Sequence, residues 1–183
     1  LIHNILTTDF IVQIHDDACV EGLEVIHEGT DILVSHGVDK KVAQSMTDLF
    51  GVSGICNILG AIKMAKYLKL GPDDNIVTIA TDSFDRYDSV IDNLKNRELE
   101  VTNHVLDRWF KDVFMEADTS RILDTRGDEA KEKLFTQKEN DWLKFGYKKE
   151  YLDSMRKPEF WENEYAKIKT YDQKIIEKRG KEI

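Results

Sequence analysis

The sequence predicts an α/β fold, in which part of a parallel sheet with its helices is followed by an α-helical C-terminal extension. Two short apolar runs, residues 9–14 and 76–80, have the length and the β-branched content of buried strands. Each run lies next to a stretch with helical periodicity, as in a βαβ unit. After residue 100 the periodicity is helical throughout. We therefore divide the chain into an α/β domain, residues 1–99, and a helical extension, residues 100–183.

The beginning of the α/β domain predicts a strand and then a helix. Residues 9–14 (DFIVQI) form the strand, and Asp16 or Asp17 is expected to cap a helix that runs to about His27. A strand followed by a helix is half of a βαβ unit. His15 stands beside the two aspartates, but contiguous residues rarely converge on one metal ion. We therefore interpret this trio as a strand end with a helix cap.

The stretch that follows, up to residue 50, carries weaker signals. The apolar run at residues 32–34 (ILV) is too short to distinguish a strand from a helix. Asp39 is expected to cap a short helix with Val42 and Met46 on one face. This stretch therefore adds at most one strand to the predicted sheet.

Residues 49–87 form the block around which the chain is organised. A glycine-rich turn, residues 51–54 (GVSG), precedes an apolar helix that a Gly-Pro pair ends. The strand-like run 76–80 (IVTIA) follows and stops at Asp82 and Ser83. In open α/β sheets such a turn and such a strand end line a ligand crevice. The same residues are also typical of a serine-capped helix and an ordinary turn, so the pattern alone leaves both interpretations open.

The second half of the chain is predicted as a series of amphipathic helices. Its aromatic residues recur at helical spacing, and we interpret these apolar faces as packing core, with an interaction surface as the alternative. Proline suits the first turn of the last helix. The predicted helices cover residues 88–98, a segment capped by Thr102, residues 129–145 and 148–155, and a final segment from Pro158 onward.

Composition and charge restrict the classes of function. A content of 41% hydrophobic and 33% charged residues is typical of a globular chain. The formal net charge of −9 disfavours nucleic acid and anionic membranes as partners, because both require clustered Lys and Arg. No apolar run approaches the roughly 20 residues of a membrane-spanning helix. Cys19 and Cys56 form no Cys-x-x-Cys pair, so we expect neither a metal site nor a redox motif, and a reduced, cytoplasmic setting.

Three stretches resemble the cysteine synthase family of pyridoxal-phosphate (PLP) enzymes, which are of the tryptophan-synthase-β type and include cystathionine β-synthase. Residues 7–26 (TTDFIVQIHDDACVEGLEVI) resemble the family's strand and its following Glu/Asp-Ala helix. Residues 51–54, with the helix behind them, resemble the Gly-x-Ser-Ser-Gly-Ala loop and helix. Residues 81–87 (TDSFDRY) resemble the Pro-Asp-Ser-x-x-x-Tyr turn. The order and spacing of the three stretches make the match more specific than any one motif.

The resemblance implies that residues 1–99 belong to a tryptophan-synthase-β-like parallel-sheet domain that binds PLP. Ser83 would hydrogen-bond the pyridine nitrogen of the cofactor, where a neutral hydroxyl leaves a weaker electron sink than a carboxylate would and so favours loss of a β-leaving group. Gly51, Ser53 and Gly54 would line the cofactor pocket, since glycine permits close approach. Asp82 is also assigned to the cofactor-binding residues. Alternatively, its side chain only shapes the turn.

The sequence departs from the family pattern where the catalytic machinery is concerned. Gly54 follows Ser53 in place of the family's second serine, and Thr81 stands where proline is usual. The family's Schiff-base lysine and its phosphate-binding loop lie N-terminal to the matched region, so the resemblance assigns no catalytic residue to this chain. We interpret the helix lysines as solvated, namely Lys40, Lys41, Lys63 and Lys66.

Two or three strands cannot form an independent parallel sheet that is covered on both faces. Together with the start at Leu1, this predicts that a preceding segment or a second polypeptide completes the sheet and supplies the PLP lysine. The resemblance then implies β-elimination or β-replacement on a small amino acid, in a homo-oligomer. The alternative is a catalytically idle domain or subunit of the same fold that acts as a binding or regulatory partner.

Overall fold

The computed structural model describes residues 3–97 and 101–180 and is predominantly helical. Helices account for 65% of the described residues, and the sheet that these residues form has two strands that pair antiparallel. The chain divides into two compact units. The terminal unit comprises Leu1–Ile11 and Leu123–Ile183, and the central unit comprises Val12–Ile122.

The predicted tryptophan-synthase-β-like parallel-sheet domain is wrong. The described residues contain two short strands, β1 (Phe10–Val12) and β2 (Ile122–Asp124), and no parallel pair. The strand predicted at residues 9–14 is confirmed over the span of β1, but residues 76–80 form no strand and are all exposed. A strand is stable only when its backbone N–H and C=O groups pair with another strand. β1 pairs with β2, which the sequence analysis missed, and no described segment pairs with residues 76–80.

The antiparallel pairing of β1 and β2 has a defined register. The Thr125 N–H donates to the Asp9 carbonyl at 2.8 Å, and the Gln13 N–H donates to the Arg121 carbonyl at 3.1 Å, so the members of each pair lie opposite each other. The buried hydroxyl of Thr125 also donates to the Thr8 carbonyl at 2.8 Å. These bonds satisfy backbone groups at the ends of a sheet whose strands are only three residues long.

The central unit contains the helices α1 (Asp16–Glu28), α2 (Thr30–Ser35), α3 (Lys40–Met46), α4 (Val52–Leu68), α5 (Asp88–Arg97) and α6 (Asn103–Trp109), a 3-10 helix (Phe84–Arg86) and a π-helix (Phe110–Met115). The α1 helix lies at the centre of this unit, since it contacts the five other α-helices and the π-helix. Its residue Leu23 is buried in one apolar core with Ile55 of α4 and Trp109 of α6.

Capping side chains explain where several of these helices begin. Asp39 caps α3 and Thr102 caps α6, as the sequence predicts, and each accepts a hydrogen bond from a backbone N–H of the first turn. The α1 helix begins differently from the prediction, because His15 caps it by accepting from the Asp17 N–H. Both predicted capping aspartates lie instead in the first turn, where their charge favours the helix dipole. The ambiguous run at residues 32–34 is helical and lies within α2.

The terminal unit contains a 3-10 helix (Ile5–Thr7) and the helices α7 (Asp128–Leu143), α8 (Lys149–Ser154), α9 (Pro158–Ala166) and α10 (Ile168–Arg179). In its small core Leu152, Met155 and Trp161 are buried, and Trp161 Nε1 donates to the Met155 carbonyl at 2.8 Å. The apolar face predicted from Pro158 onward is only partly buried, because Tyr165 and Ile168 remain 55% and 51% exposed.

Candidate functional site

Two turns that the sequence analysis singled out, residues 51–54 and residues 81–87, lie side by side in the central unit. The Gly51 N–H donates to the Asp82 carbonyl at 2.8 Å. All of α4 and the extended run that follows it separate the two residues in the sequence, so this contact is made by the fold and not by chain proximity. We treat residues 51–54 and 81–87 together as the candidate site.

Gly51 permits this contact because it has no side chain. A Cβ atom at this position would lie 2.5 Å from Oδ1 of Asp82 and would also collide with the ring of Tyr87. The backbone of Gly51 has φ −93° and ψ −177°, which other residues also adopt, so the requirement for glycine is steric and not conformational. The space beside Gly51 is therefore filled by the protein itself.

Tyr87 connects the two turns, although it was not among the predicted site residues. Its hydroxyl donates to Oδ2 of Asp82 at 2.5 Å, and its ring lies directly beside Gly51. Gly51 occupies the N-cap position of α4 and offers no side chain to cap the helix. The hydrogen bond to Asp82, together with burial, raises the pKa of Tyr87. Its presence in the 81–87 motif was the signal that could have identified it.

Phe84 anchors the second turn to the core. Its ring stacks on the imidazole of His27 in α1, with the ring centroids 3.6 Å apart. Its N–H donates to the Asp48 carbonyl at 3.4 Å, and Nδ1 of His27 lies 3.3 Å from the Thr47 carbonyl. These contacts fix the backbone next to Ser83 against α1 and the residues after α3.

The two serines of the candidate site are exposed, whereas its two glycines are buried. The Ser83 hydroxyl donates to the carboxylate of Asp85. Ser53 lies in the first turn of α4, and a Cβ at Gly54 would come within 3.3 Å of the ring of Phe50. The exposed hydroxyls are therefore groups of this site that a ligand can reach.

Of the predicted cofactor-binding residues, Ser83 has the chemistry to contact PLP, whereas Gly51 and Gly54 pack against protein side chains. Ser83 fits the pyridine nitrogen, because its exposed hydroxyl can turn from Asp85 and donate to a ring acceptor. The Asp82 carboxylate is already engaged, since Oδ2 accepts from Tyr87 and Oδ1 accepts from the Thr81 hydroxyl at 3.1 Å. The two turns contain no lysine, so a PLP lysine and a phosphate-binding loop have to come from another segment.

The prediction that the helix lysines are solvated is wrong for Lys63. Its side chain is 9% exposed, and Nζ donates to the Gln13 carbonyl at 3.2 Å and lies 3.7 Å from Oδ1 of Asp118. Lys63 lines a cavity of about 460 Å³ within the central unit, and none of the residues of the candidate site lines that cavity. Its spacing from the buried Ile55 and Leu59, eight and four residues earlier on α4, was a signal for this burial.

Among residues 3–97 and 101–180, no group of three or more His, Cys, Asp and Glu side chains is placed to hold a metal ion. Within the same described part of the chain, no helix has both the length and the apolar character needed to cross a membrane. No family model, no curated protein and no solved structure matches the chain.

Proposed function

We propose that this chain is the C-terminal portion of a PLP-dependent enzyme of the cysteine synthase type, which catalyses β-elimination or β-replacement on a small amino acid in the cytoplasm. The contact between residues 51–54 and residues 81–87 is the observation that supports this proposal, because the resemblance requires both segments to contribute to one cofactor site.

In this proposal Ser83 positions the ring of the cofactor. Its hydroxyl turns from Asp85 and donates to the pyridine nitrogen, as a neutral donor that strengthens the electron sink less than a carboxylate would. PLP, when bound, supplies the electron sink for breaking bonds at the α-carbon of an amino acid. Gly51 brings the two turns together, and the Tyr87 hydroxyl holds the Asp82 side chain, which keeps Ser83 in place.

The exposed apolar run at residues 76–80 supports a partner segment. Val77 is 93% exposed and Ile79 is 71% exposed, and the Asn57 side-chain amide donates to the Ile79 carbonyl at 3.0 Å. Exposed β-branched residues on unpaired backbone favour association with another segment. We propose that the partner, in the same protein or in a second chain, carries the PLP lysine and that the assembled enzyme is a homo-oligomer.

A catalytically idle domain that binds or regulates a partner is the second candidate function. The hydrogen bond from Ser83 to Asp85 favours it, because a hydroxyl engaged within its own turn is not donated to a cofactor. In this case the apolar run would serve as a contact surface only. The two candidates differ in whether the assembly holds PLP, which can be measured directly.

The first experiment isolates the chain together with the polypeptide that accompanies it in cells and treats the assembly with borohydride, which fixes PLP to its lysine. Mass spectrometry of the digest then locates the label. The enzyme proposal expects a pyridoxyl-lysine outside residues 1–183 and PLP-dependent release of a keto acid from a β-substituted alanine. An assembly without PLP would support the idle domain, and a label on a lysine of this chain would contradict the proposed division of roles.

The second experiment tests the ring contact in the same assembly with Ser83→Ala and Ser83→Asp. Loss of one neutral hydrogen bond costs about 0.5–1.5 kcal/mol, so the alanine variant should be slower by about tenfold at most. The aspartate variant should favour the protonated ring nitrogen, change the absorption spectrum of the bound cofactor and slow β-elimination. Ser45→Ala is the control, since Ser45 is exposed and its hydroxyl bonds to the Val42 carbonyl in α3. If both Ser83 variants match wild type in spectrum and turnover at equal PLP occupancy, Ser83 does not contact the ring.

A further inference from the structure

Helices α1 and α4 approach each other very closely at one point. A Cβ atom at Gly22 of α1 would lie 2.9 Å from Cγ2 of Ile55 of α4. Cys19 lies about one helical turn before Gly22 on α1, and Cys56 directly follows Ile55 on α4. The packing of the two helices therefore brings together the only two cysteines of the chain, which lie far apart in the sequence.

The two cysteines are neighbours in this core. Burial, together with the neighbouring Cys56 thiol, raises the pKa of Cys19 to about 12. Cys19 is only 3% exposed, whereas Cys56 is half-buried at the margin of the core. A small oxidant can therefore reach Cys56 more readily than Cys19.

We propose that Cys19 and Cys56 form a reversible disulfide when the protein meets a peroxide. The geometry favours such a bond, because the two cysteines belong to one core, the more accessible of them lies at its margin, and their helices already pack closely. No redox motif is expected from the sequence because the two cysteines lack Cys-x-x-Cys spacing, whereas tertiary packing brings the helices that carry them together. The inference is independent of the proposed function.

The chemistry balances with hydrogen peroxide as the oxidant. The Cys56 thiolate attacks one peroxide oxygen, the O–O bond breaks, and Cys56 becomes a sulfenic acid while the other oxygen leaves as water after taking a proton. The Cys19 sulfur then attacks the Cys56 sulfur, the S–O bond breaks, and the departing hydroxide takes the Cys19 proton and leaves as water. The two thiols lose two electrons, and one peroxide molecule becomes two water molecules.

The disulfide would tie α1 to the first turns of α4. Cys56 lies two residues after Gly54, so the bond would form directly behind the turn at residues 51–54. Oxidation should therefore restrict local opening of this turn and slow amide hydrogen exchange there. Exchange with an added dithiol would break the disulfide and restore the mobility of the reduced state.

The test treats the full chain with hydrogen peroxide, alkylates the remaining thiols in denaturant and maps the digest by mass spectrometry. The expected product is one cross-linked peptide pair that contains Cys19 and Cys56, two hydrogens lighter than the reduced pair and restored by dithiothreitol. Hydrogen exchange at residues 51–56 should be slower in the oxidised protein. Cys19→Ser should stop at a sulfenic acid on Cys56, trapped by dimedone, and Cys56→Ser should leave Cys19 unoxidised at the same peroxide dose.

Two results would overturn this proposal. One is free thiols at both positions after treatment of the folded chain, and the other is disulfides that form only between chains. If circular dichroism shows that Cys19→Ser unfolds the protein, Cys19→Ala replaces it, because alanine suits the apolar surroundings of Cys19. The mapping of the wild-type disulfide requires no variant, so the proposal can be refuted in either case.

Discussion

Replacement of Gly51 by alanine tests whether the contact between the two turns stabilises the central unit. The new methyl group would lie 2.5 Å from Oδ1 of Asp82 and would collide with the ring of Tyr87. To relieve this overlap, the turns must separate or Tyr87 must move. Separation of the turns breaks the hydrogen bond from the Gly51 N–H to the Asp82 carbonyl, and movement of Tyr87 breaks the hydrogen bond from its hydroxyl to Asp82.

The magnitude follows from these two contributions. Overpacking of this kind costs about 1–3 kcal/mol, and each hydrogen bond lost adds roughly 0.5–1.5 kcal/mol. We therefore expect Gly51→Ala to lower the free energy of unfolding by about 2–4 kcal/mol, which corresponds to a fall in melting temperature of about 5–15 °C. Gly60→Ala is the matched control on the same helix, because a Cβ at Gly60 meets no atom within 4 Å. Alanine at this helix-interior position should stabilise the protein by about 0.5–1 kcal/mol.

Urea denaturation followed by circular dichroism gives the free energies for both variants. Amide hydrogen exchange of peptides from α4 and from residues 81–87 shows whether the loss is local. In a Tyr87→Ala background, Gly51→Ala should cost less, because one of the two colliding groups is gone. A Gly51→Ala protein that is as stable as wild type, with unchanged exchange at residues 81–87, would refute the reasoning.

Three further changes test other parts of the chain. Thr125→Val leaves the Thr8 carbonyl without its buried donor and should lower the free energy of unfolding in urea by about 1–3 kcal/mol. Thr125→Ser keeps the hydroxyl and should retain most of the stability. Equal losses in the two variants would contradict this explanation. The hydrogen bond from His36 lowers the pKa of Asp107, so the carboxylate stabilises the fold above its unfolded pKa and this stability is lost as the pH falls below about 4. The difference in urea midpoint between wild type and Asp107→Asn should therefore shrink from about pH 6 to about pH 3, and a constant difference would argue against this hydrogen bond as a source of stability. Lys69 ends α4 with φ 55°, so Lys69→Gly should raise the stability by about 1 kcal/mol in thermal melts, and Lys69→Ala should not.

Helix starts could be predicted because their causes lie within a few residues of each other. The side chains of Asp39 and Thr102 accept backbone N–H groups two or three residues ahead, and Pro158 fixes φ where no N–H acceptor is needed. The motifs at residues 51–54 and 81–87 could be recognised for the same reason, since each is contiguous in the sequence, while a binding role for their glycines and serines stays a prediction. Sequence patterns could not place Tyr87 against Gly51, because that contact depends on how the turn at residues 81–87 returns to the start of α4.

The run at residues 76–80 shows where local pattern loses its predictive power. The β-branched residues of this run are typical of a strand. The composition of one segment does not specify, however, which other segment will pair with its backbone N–H and C=O groups. The antiparallel pairing in the described chain instead joins β1 to β2, which flank the central unit in sequence. Burial of a Val or Ile side chain stabilises a protein by about 1.5–3 kcal/mol. Val77 and Ile79 are exposed, so burying them against another segment would add stability that the described residues do not provide. A segment that recovers it must supply apolar surface for these side chains and hydrogen-bond partners for their backbone at the same time, which is a stricter requirement than hydrophobic contact alone.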